Sequence, residues 1–181
     1  SVADASSLRR QIGVVLQENI LFNRSIRENI ALTDPGAPLE AVMQAARLAG
    51  AHEFITELPD GYDTIIEERG ASLSGGQRQA MSLLMSTMTP IDFLILDEHT
   101  AALDPKTAEL IMELTDKVVR EKQLTTIMVT HNLRYAVEYG DRLLMMHQGY
   151  AVMDLEGDEK KNMNVDTILE KFNEISIECG N

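Results

Sequence analysis

Residues 73–98, LSGGQRQAMSLLMSTMTPIDFLILDE, decide the fold and also carry the chemistry. Two glycines stand in a polar turn at the start of this stretch, and a helical pattern over Ser74–Met88 follows them. Methionines and leucines recur there at helical spacing, so we expect one side of the helix to pack in the core. Pro90 ends the helix, and the apolar run Phe93–Leu96 is typical of a strand covered on both faces. The stretch therefore predicts a helix followed by a buried strand.

Polar residues follow this strand and a later one at the point where each strand ends. Asp97 and Glu98 close the first strand, and their carboxylates suit a metal ion and the activation of a water molecule. His131 follows a second apolar run, Val129 being its last apolar residue. Because ligands of open α/β sheets bind beyond the carboxyl ends of the strands, these ends and the glycine turn suggest one site. A solvated acidic strand end and a structural histidine are the alternatives.

The glycine turn favours a phosphate at the beginning of the helix. Gly75 and Gly76 let the backbone approach a ligand closely, and Ser74 adds a hydroxyl donor. The first turn of a helix also offers free N–H groups and the positive end of the helix dipole. A plain N-cap at Ser74 is the alternative interpretation.

The composition excludes several classes of protein. At 181 residues the chain is one domain or most of one, and 44% hydrophobic residues suffice for a core. A formal net charge of −13 argues against a nucleic-acid surface, which would be basic. The lone Cys179 rules out an internal disulfide and fits a reducing compartment. No apolar run approaches the ~20 residues of a membrane span, so we expect any membrane link to go through a partner.

The order of the elements predicts an α/β fold with a parallel sheet. Strands are expected at Gln11–Leu16, Phe93–Leu96 and Thr125–Thr130, with helices between them. A hairpin is expected around Gln148-Gly149. Residues 1–16 and 73–155 would form the core, residues 17–72 an inserted helical lobe, and residues 156–181 a C-terminal linker and helix. We also expect a frayed start or a cut end at Ser1–Ser7, a charged linker at Asp154–Asn164 with solvated Lys160 and Lys161, and a closing helix at Val165–Ile175.

These motifs resemble those of ABC-type ATPases in their order and rough spacing, from about Leu8 to Gly149. The resemblance implies a P-loop NTPase-like sheet flanked by helices. The five motifs are a signature motif at Leu73–Gln77, a Walker B strand with its catalytic glutamate at Phe93–Glu98, a D-loop at Ala102–Asp104, a switch histidine at His131 and a Q-loop glutamine at Gln17.

The resemblance also implies catalytic and metal-binding roles. Asp97 would hold Mg²⁺, and Glu98 would be the general base that polarises the attacking water. His131 would bind the γ-phosphate of ATP and sense its loss. Gln17 would contact Mg²⁺ or the water and transmit that state to the helical lobe. An ordinary glutamine at the end of a strand is the alternative interpretation of Gln17.

The signature motif implies a partner. In the family, Ser74, Gly75, Gly76 and Gln77 would bind the γ-phosphate of an ATP molecule held mainly by a second ABC ATPase domain in a head-to-tail dimer. Asp104 of the D-loop would join these cofactor-binding residues. The run Glu68-Arg69-Gly70 resembles the Glu-x-Gly element with which ABC exporters reach their transmembrane partner; a charged turn is the alternative.

The chain departs from the family in two respects. The phosphate-binding loop Gly-x-x-x-x-Gly-Lys-Ser/Thr does not occur, and the sequence contains no Gly-Lys pair. The resemblance would then cover the C-terminal three-quarters of an ATPase domain, without the P-loop strand, and we expect these 181 residues alone to hydrolyse little ATP. In addition, residues 8–77 resemble exporters of the haemolysin type, whereas residues 78–174 resemble soluble ATPase subunits of importers. This difference predicts a hybrid joined near the signature.

The function implied by the resemblance is an ATPase domain that couples ATP hydrolysis to transport. Its partner would be a transmembrane subunit or domain, its place the cytoplasmic face of the cell membrane, and it would bind no nucleic acid and insert no segment of its own into the membrane. One alternative is a non-catalytic or engineered module that presents only the signature face to a complete partner. A DNA-repair type of ABC ATPase is another, but residues 17–72 lack the sustained heptads of its coiled coil.

Overall fold

A computed structural model of the chain describes residues 5–18, 20–67 and 70–178. Contacts divide the chain into two units, Ser1–Val129 and Thr130–Asn181. This division does not separate residues 17–72, whose buried side chains share one hydrophobic cluster with those of the sheet. The inserted lobe stays a prediction. The elements of the first unit are helices α1 (Ala5–Arg10), α2 (Ile26–Ile30), α3 (Leu39–Leu48), α4 (His52–Glu57), α5 (Gly75–Thr87) and α6 (Pro105–Lys122), and strands β1 (Ile12–Val15), β2 (Phe93–Asp97) and β3 (Thr125–Val129).

The three strands of the first unit form a parallel sheet in the order β1-β2-β3, as the sequence predicted. Leu94 and Leu96 are buried on the face that carries the helices. On the opposite face Ile95 lies between Val14 and Ile127, which are 43% and 51% exposed. The expectation that the strand is covered on both faces is therefore wrong, because side chains alternate along a strand and only one of the two faces is buried here.

Local sequence signals set where several helices begin. Ser25 caps α2 and forms a capping box with Glu28. Asp104 caps α6, and Pro105 occupies its first helical position. Of the segment Ser1–Ser7, which was expected to be a frayed start or a cut end, residues 1–4 lie outside the described residues, and α1 begins at Ala5.

Helix α5 packs closely on the edge strand β1. Ser86 Oγ donates a hydrogen bond of 2.7 Å to the carbonyl oxygen of Val14. A Cβ added to Gly13 would lie 2.5 Å from the carbonyl oxygen of Ser86 and 2.7 Å from Ile91 Cδ1. Glycine at position 13 therefore allows the helix backbone to approach the strand. Met81 and Leu84 of the predicted apolar stripe are fully buried, which confirms that the stripe belongs to the core.

The C-terminal ends of α5 and α6 are tied together. Lys122, in the last turn of α6, donates from Nζ to the carbonyl oxygen of Thr87 at 2.7 Å. The last carbonyls of a helix lack partners within the helix, so a cation there satisfies an acceptor and also interacts favourably with the helix dipole. This contact fixes the far ends of two helices whose beginnings lie near the candidate site.

The second unit consists of a hairpin with helices before and after it. The predicted hairpin is confirmed, and Gln148 and Gly149 at its turn have φ angles of 47° and 85°. None of the helices in the described residues is long and apolar enough to cross a membrane. The elements of this unit are α7 (Leu133–Glu138), β4 (Arg142–His147), β5 (Tyr150–Glu156), α8 (Gly157–Lys161) and α9 (Val165–Glu178).

The charged linker predicted at Asp154–Asn164 is wrong, because β5 and α8 occupy most of it. Lys160, which was expected to be solvated, is only 5% exposed and donates from Nζ to the carbonyl oxygens of Val137 and Tyr139. These carbonyls lie at the C-terminal end of α7, where helix acceptors lack partners within the helix. Lys161 has an exposed side chain, as expected.

Candidate functional site

The carboxyl ends of the parallel strands bring three of the predicted site residues to one edge of the sheet. Asp97, the last residue of β2, pairs with Val129, the last residue of β3. Gln17 follows β1 by two residues, and Glu98 follows β2 directly. Gln17 and Asp97 are exposed, and Glu98 is half-buried. His131 belongs to the second unit, Thr130–Asn181.

Glu98 adopts a backbone conformation that is rare for its residue type. Its φ angle is 46°, in the left-handed region that favours glycine. Its N–H donates to the carbonyl oxygen of Val129 at 3.0 Å, and its own carbonyl accepts from the N–H of Ala101 at 2.9 Å. The sequence placed both Asp97 and Glu98 at the close of the strand, but β2 ends at Asp97, because Glu98 already lies in this turn.

His99 anchors the next position of the turn. Its side chain is 3% exposed, and Nε2 lies 3.3 Å from Oγ1 of Thr115 in α6. Burial lowers the pKa of His99 to about 4, so the ring is neutral near pH 7. His99 thus has a structural role at this position. Thr115 was not singled out, and no pattern in the sequence indicates its contact with a residue 16 positions earlier.

Ser74 caps helix α5 in a capping box. Its Oγ accepts from the N–H of Gln77 at 3.2 Å, and Gln77 Oε1 accepts from the N–H of Ser74 at 2.8 Å. The N-cap considered as the alternative interpretation is thus present. It does not compete with a ligand role, because a hydroxyl oxygen that accepts a hydrogen bond can still donate its own hydrogen. The remaining N–H groups of the first turn point outward along the helix axis.

Gly75 and Gly76 allow α5 to lie against the beginning of α6. A Cβ added to Gly76 would lie 2.5 Å from Thr107 Cγ2, and one added to Gly75 would lie 3.1 Å from Leu103 Cδ2. The sequence explained these glycines by the approach of a ligand. The structure adds a second reason, the approach of a neighbouring helix, which involves Leu103 and Thr107.

Asp104 lies at the beginning of this neighbouring helix. Its Oδ1 accepts from the N–H of Thr107 at 3.1 Å. Hydrogen bonds from Thr107 hold the pKa of Asp104 below its usual value, so the carboxylate is charged at neutral pH. The first turns of α5 and α6 therefore lie side by side, with Ser74 and Asp104 as their caps.

The carboxylates at the sheet edge suit Mg²⁺ that arrives with a nucleotide. Mg²⁺ sites of that kind use one or two carboxylates together with substrate phosphates. Asp97 and Glu98 supply two adjacent carboxylates beyond a parallel strand. Within residues 5–18, 20–67 and 70–178 no group of three or more His, Cys, Asp and Glu side chains could hold a metal. Glu68 and Arg69 of the predicted Glu-x-Gly element lie outside the described residues.

Comparisons with known proteins agree with this arrangement. Residues 2–101 match the family model of ABC transporters. Over 152 residues the chain is 50% identical to the leukotoxin translocation ATP-binding protein LktB of Mannheimia haemolytica, and equally to that of Bibersteinia trehalosi. The match covers 84% of this chain and 21% of those relatives, so the chain spans about a fifth of their length.

A solved structure has the same fold. The structure of a bacterial Atm1-family ABC exporter with ATP bound matches 92% of this chain and 29% of its own, with a TM-score of 0.75 and 32% sequence identity. The predicted P-loop NTPase-like fold is thereby confirmed. The hybrid origin suggested by the sequence stays a prediction. The chain belongs to the ABC transporter family, as an ATP-binding domain.

Proposed function

We propose that this domain binds and hydrolyses Mg-ATP together with a second ABC ATPase domain and thereby drives transport through a transmembrane partner. One observation carries the proposal. The capped first turn of α5, with Ser74 and Gly75, packs against the first turn of α6. Helix α6 in turn follows β2, at whose end Asp97 and Glu98 lie. A phosphate-binding helix end and a carboxylate pair thus belong to one compact unit.

The carboxylates and their neighbours act on the nucleotide bound at the sheet edge. Asp97 holds the Mg²⁺ that accompanies ATP, and the metal, when bound, neutralises charge on the phosphates. Glu98 accepts a proton from the attacking water as general base. Gln17 contacts the metal or this water, and His131 binds the γ-phosphate. All four assignments rest on the family resemblance and on the chemistry of the side chains.

The signature residues act on the nucleotide of the partner. Ser74 donates its hydroxyl hydrogen, Gly75 and Gly76 present backbone N–H groups, and Gln77 holds Ser74 in place through the capping box. Because the dipole of α5 is positive at this end, it favours the charge of a γ-phosphate. A head-to-tail pair of domains brings this end to the partner's ATP, and Asp104 lies beside it at the start of α6.

Transport is proposed from the relatives. The leukotoxin proteins are named for translocation, and the Atm1-family protein is named as an exporter. We place the domain on the cytoplasmic face of a membrane, where it contacts a transmembrane domain or subunit and no nucleic acid. The net charge of −13 supports the last point, because nucleic-acid surfaces are basic.

The test supplies the partner's site from another protein. A second ABC ATPase domain with an intact phosphate-binding loop and an inactivated signature motif is mixed with this chain, and phosphate release is measured at saturating Mg-ATP. We expect the wild-type chain to restore hydrolysis. Gly75→Asp should lower the rate by a factor on the order of 10²–10³, since a carboxylate at the start of α5 opposes the charge of a phosphate bound there. Gly75→Ala adds only the Cβ and should lower the rate less.

Two further variants make the result specific. Gly36→Asp places the same charge in a turn where an added Cβ has only Asp34 Oδ1 nearby, at 3.7 Å, and should leave the rate unchanged. Equal rates with wild type and Gly75→Asp would contradict the signature role. Glu98→Gln tests the general base in a second mixture, with a partner whose signature motif is intact: if it leaves phosphate release unchanged there while Gly75→Asp lowers it in the first mixture, the chain acts only as a module that presents its signature to a partner.

A further inference from the structure

The conformation of Glu98 requires something that holds it. A non-glycine residue at a φ angle of 46° is strained, and such conformations persist only where the surroundings fix them. One constraint is the hydrogen bond from the N–H of Glu98 to Val129, which fixes the residue to the sheet. On the C-terminal side, where the chain leaves the sheet, the carbonyl oxygen of Glu98 accepts from the N–H of Ala101 within the same turn, and a second constraint joins this turn to another element.

His99 supplies the second constraint through Thr115. The hydroxyl of Thr115 donates to the carbonyl oxygen of Ile111 at 2.7 Å, which uses its only hydrogen. Towards His99 the same oxygen can therefore only accept, so Nε2–H of the imidazole is the donor of the 3.3 Å contact. Nε2 carries a hydrogen in this neutral tautomer and also in the protonated ring, so the direction of the bond does not depend on titration.

The position of Thr115 makes this bond an effective anchor. It lies inside α6, an 18-residue helix, and its side chain is buried near Ile111 and Met112. A buried donor that loses its acceptor is left unsatisfied, and this cost opposes any movement of His99 away from the helix. The residue next to Glu98 is thus fixed to a helix while Glu98 itself is bonded to the sheet.

We propose that His99 and Thr115 form a positioning pair that holds Glu98 in the left-handed conformation and so keeps its carboxylate at the edge of the sheet. The pair touches neither nucleotide nor metal and acts only through Glu98. The importance of that carboxylate rests on the proposed function, whereas the positioning itself is a property of the folded chain.

The test reads the backbone of Glu98 by NMR on the isotope-labelled chain. The amide hydrogen and Hα of one residue are closer in the left-handed conformation than in extended or helical backbone, so the NOE between them reports φ. Gln123 and Gln148, with φ angles of 52° and 47°, are internal references. Thr115→Val removes the acceptor and keeps the shape of the side chain. Thr115→Ser and His99→Gln keep an acceptor and a donor, respectively.

Thr87→Val is the matched control. Thr87 is also buried, and its hydroxyl donates to the carbonyl oxygen of Leu83, four residues back, as Thr115 does to that of Ile111. In Thr115→Val alone we expect the NOE of Glu98 to fall about twofold or more. The NOEs of Gln123 and Gln148 should keep their intensity in this variant. Thr115→Ser, His99→Gln and Thr87→Val should match the wild type. An unchanged Glu98 NOE in folded Thr115→Val would overturn the proposal.

A measurement on the wild type removes dependence on the folding of any variant. Long-range ¹H–¹⁵N correlation spectra of the His99 ring identify its tautomer, and we expect the hydrogen on Nε2. A hydrogen on Nδ1 in the neutral ring would overturn the proposal. Neither result depends on ATP, so a failure of Glu98→Gln to affect hydrolysis would contradict the proposed function and leave the positioning pair standing.

Discussion

Gly76 and Thr107 touch across the beginnings of two helices: a Cβ added to Gly76 would lie 2.5 Å from Cγ2 of Thr107. Gly76 is in the first turn of α5, and Thr107 is in the first turn of α6. The turn that contains Gly75 and Gly76 and the loop after β2 are therefore parts of one packed structure. This contact gives the glycine a role in stability that can be separated from a role in ligand binding.

Gly76→Ala should destabilise the first unit by about 1–3 kcal/mol, as expected when a methyl group is forced into a packed site. Thr107→Ser removes Cγ2 and should recover most of the loss in the double variant. Urea unfolding followed by circular dichroism measures both effects. Gly36→Ala is the control, since an added Cβ there finds ordinary contact at 3.7 Å. A fully stable Gly76→Ala variant would show that the two helices separate easily.

Replacing Glu98 should show that its backbone conformation lowers the stability of the fold. We expect Glu98→Gly to be more stable than Glu98→Ala by about 1 kcal/mol, because glycine adopts a φ angle of 46° without strain. At the exposed helical position Glu113 the same comparison should have the opposite sign, with glycine less stable by about 1 kcal/mol. Chemical denaturation of the four variants measures both differences. Equal signs at the two positions would contradict the prediction.

Burial of His99 should make the stability depend on pH. The pKa of His99 is about 4 in the folded chain, and an exposed histidine has a pKa of 6.5. As the pH falls, the unfolded chain therefore binds a proton before the folded chain does. The stabilisation is complete above pH 6.5 and is lost between pH 6.5 and 4; it amounts to at most about 3 kcal/mol.

The measurement compares the free energy of unfolding of the wild type and His99→Gln at several pH values, without added divalent cations. The carboxylates titrate in both proteins, so their contribution cancels in the difference. We expect the advantage of the wild type to shrink on acidification through this window. Parallel curves would mean that His99 is solvated in solution.

Two adjacent lysines should differ sharply in their effect on the second unit. Lys160→Met should destabilise it by about 1–3 kcal/mol, because the carbonyl oxygens of Val137 and Tyr139 lose their buried donor. Burial lowers the pKa of Lys160, which shows that desolvation offsets part of the gain. Lys161→Met should change the stability by less than about 0.5 kcal/mol. Hydrogen exchange of the amides in α7 and β5 is the measurement, and equal exchange rates in the two variants would contradict it.

The features that the sequence predicted correctly depend on residues close together in the chain or on a simple pattern. The N-cap at Ser74, considered as the alternative to a ligand role, involves residues three positions apart. The parallel sheet follows from alternating strands and helices. Its consequence, the meeting of Asp97 with the end of β3, follows from strand direction alone.

The features that were missed depend on contacts between distant residues. Lys160 bonds to carbonyls 21 and 23 residues earlier, and a charged side chain in an acidic segment gives no sign of such burial. The same holds for His99 with Thr115 and for Gly76 with Thr107. The turn at Glu98 was missed because the apolar residues of β2 predict extended backbone beyond Asp97. The extended backbone ends there instead, where the N–H of Glu98 bonds to the carbonyl oxygen of Val129 and the carbonyl of Glu98 accepts from the N–H of Ala101.

The bond from Lys122 to Thr87 joins the C-terminal ends of α5 and α6. At the N-terminal ends of the same two helices lies the tight contact of Gly76 with Thr107. A tilt of α5 that left α6 in place would therefore break this bond or open this contact. Thr115 lies on α6 and contacts His99 beside Glu98, so the helix caps and the end of β2 are joined through α6.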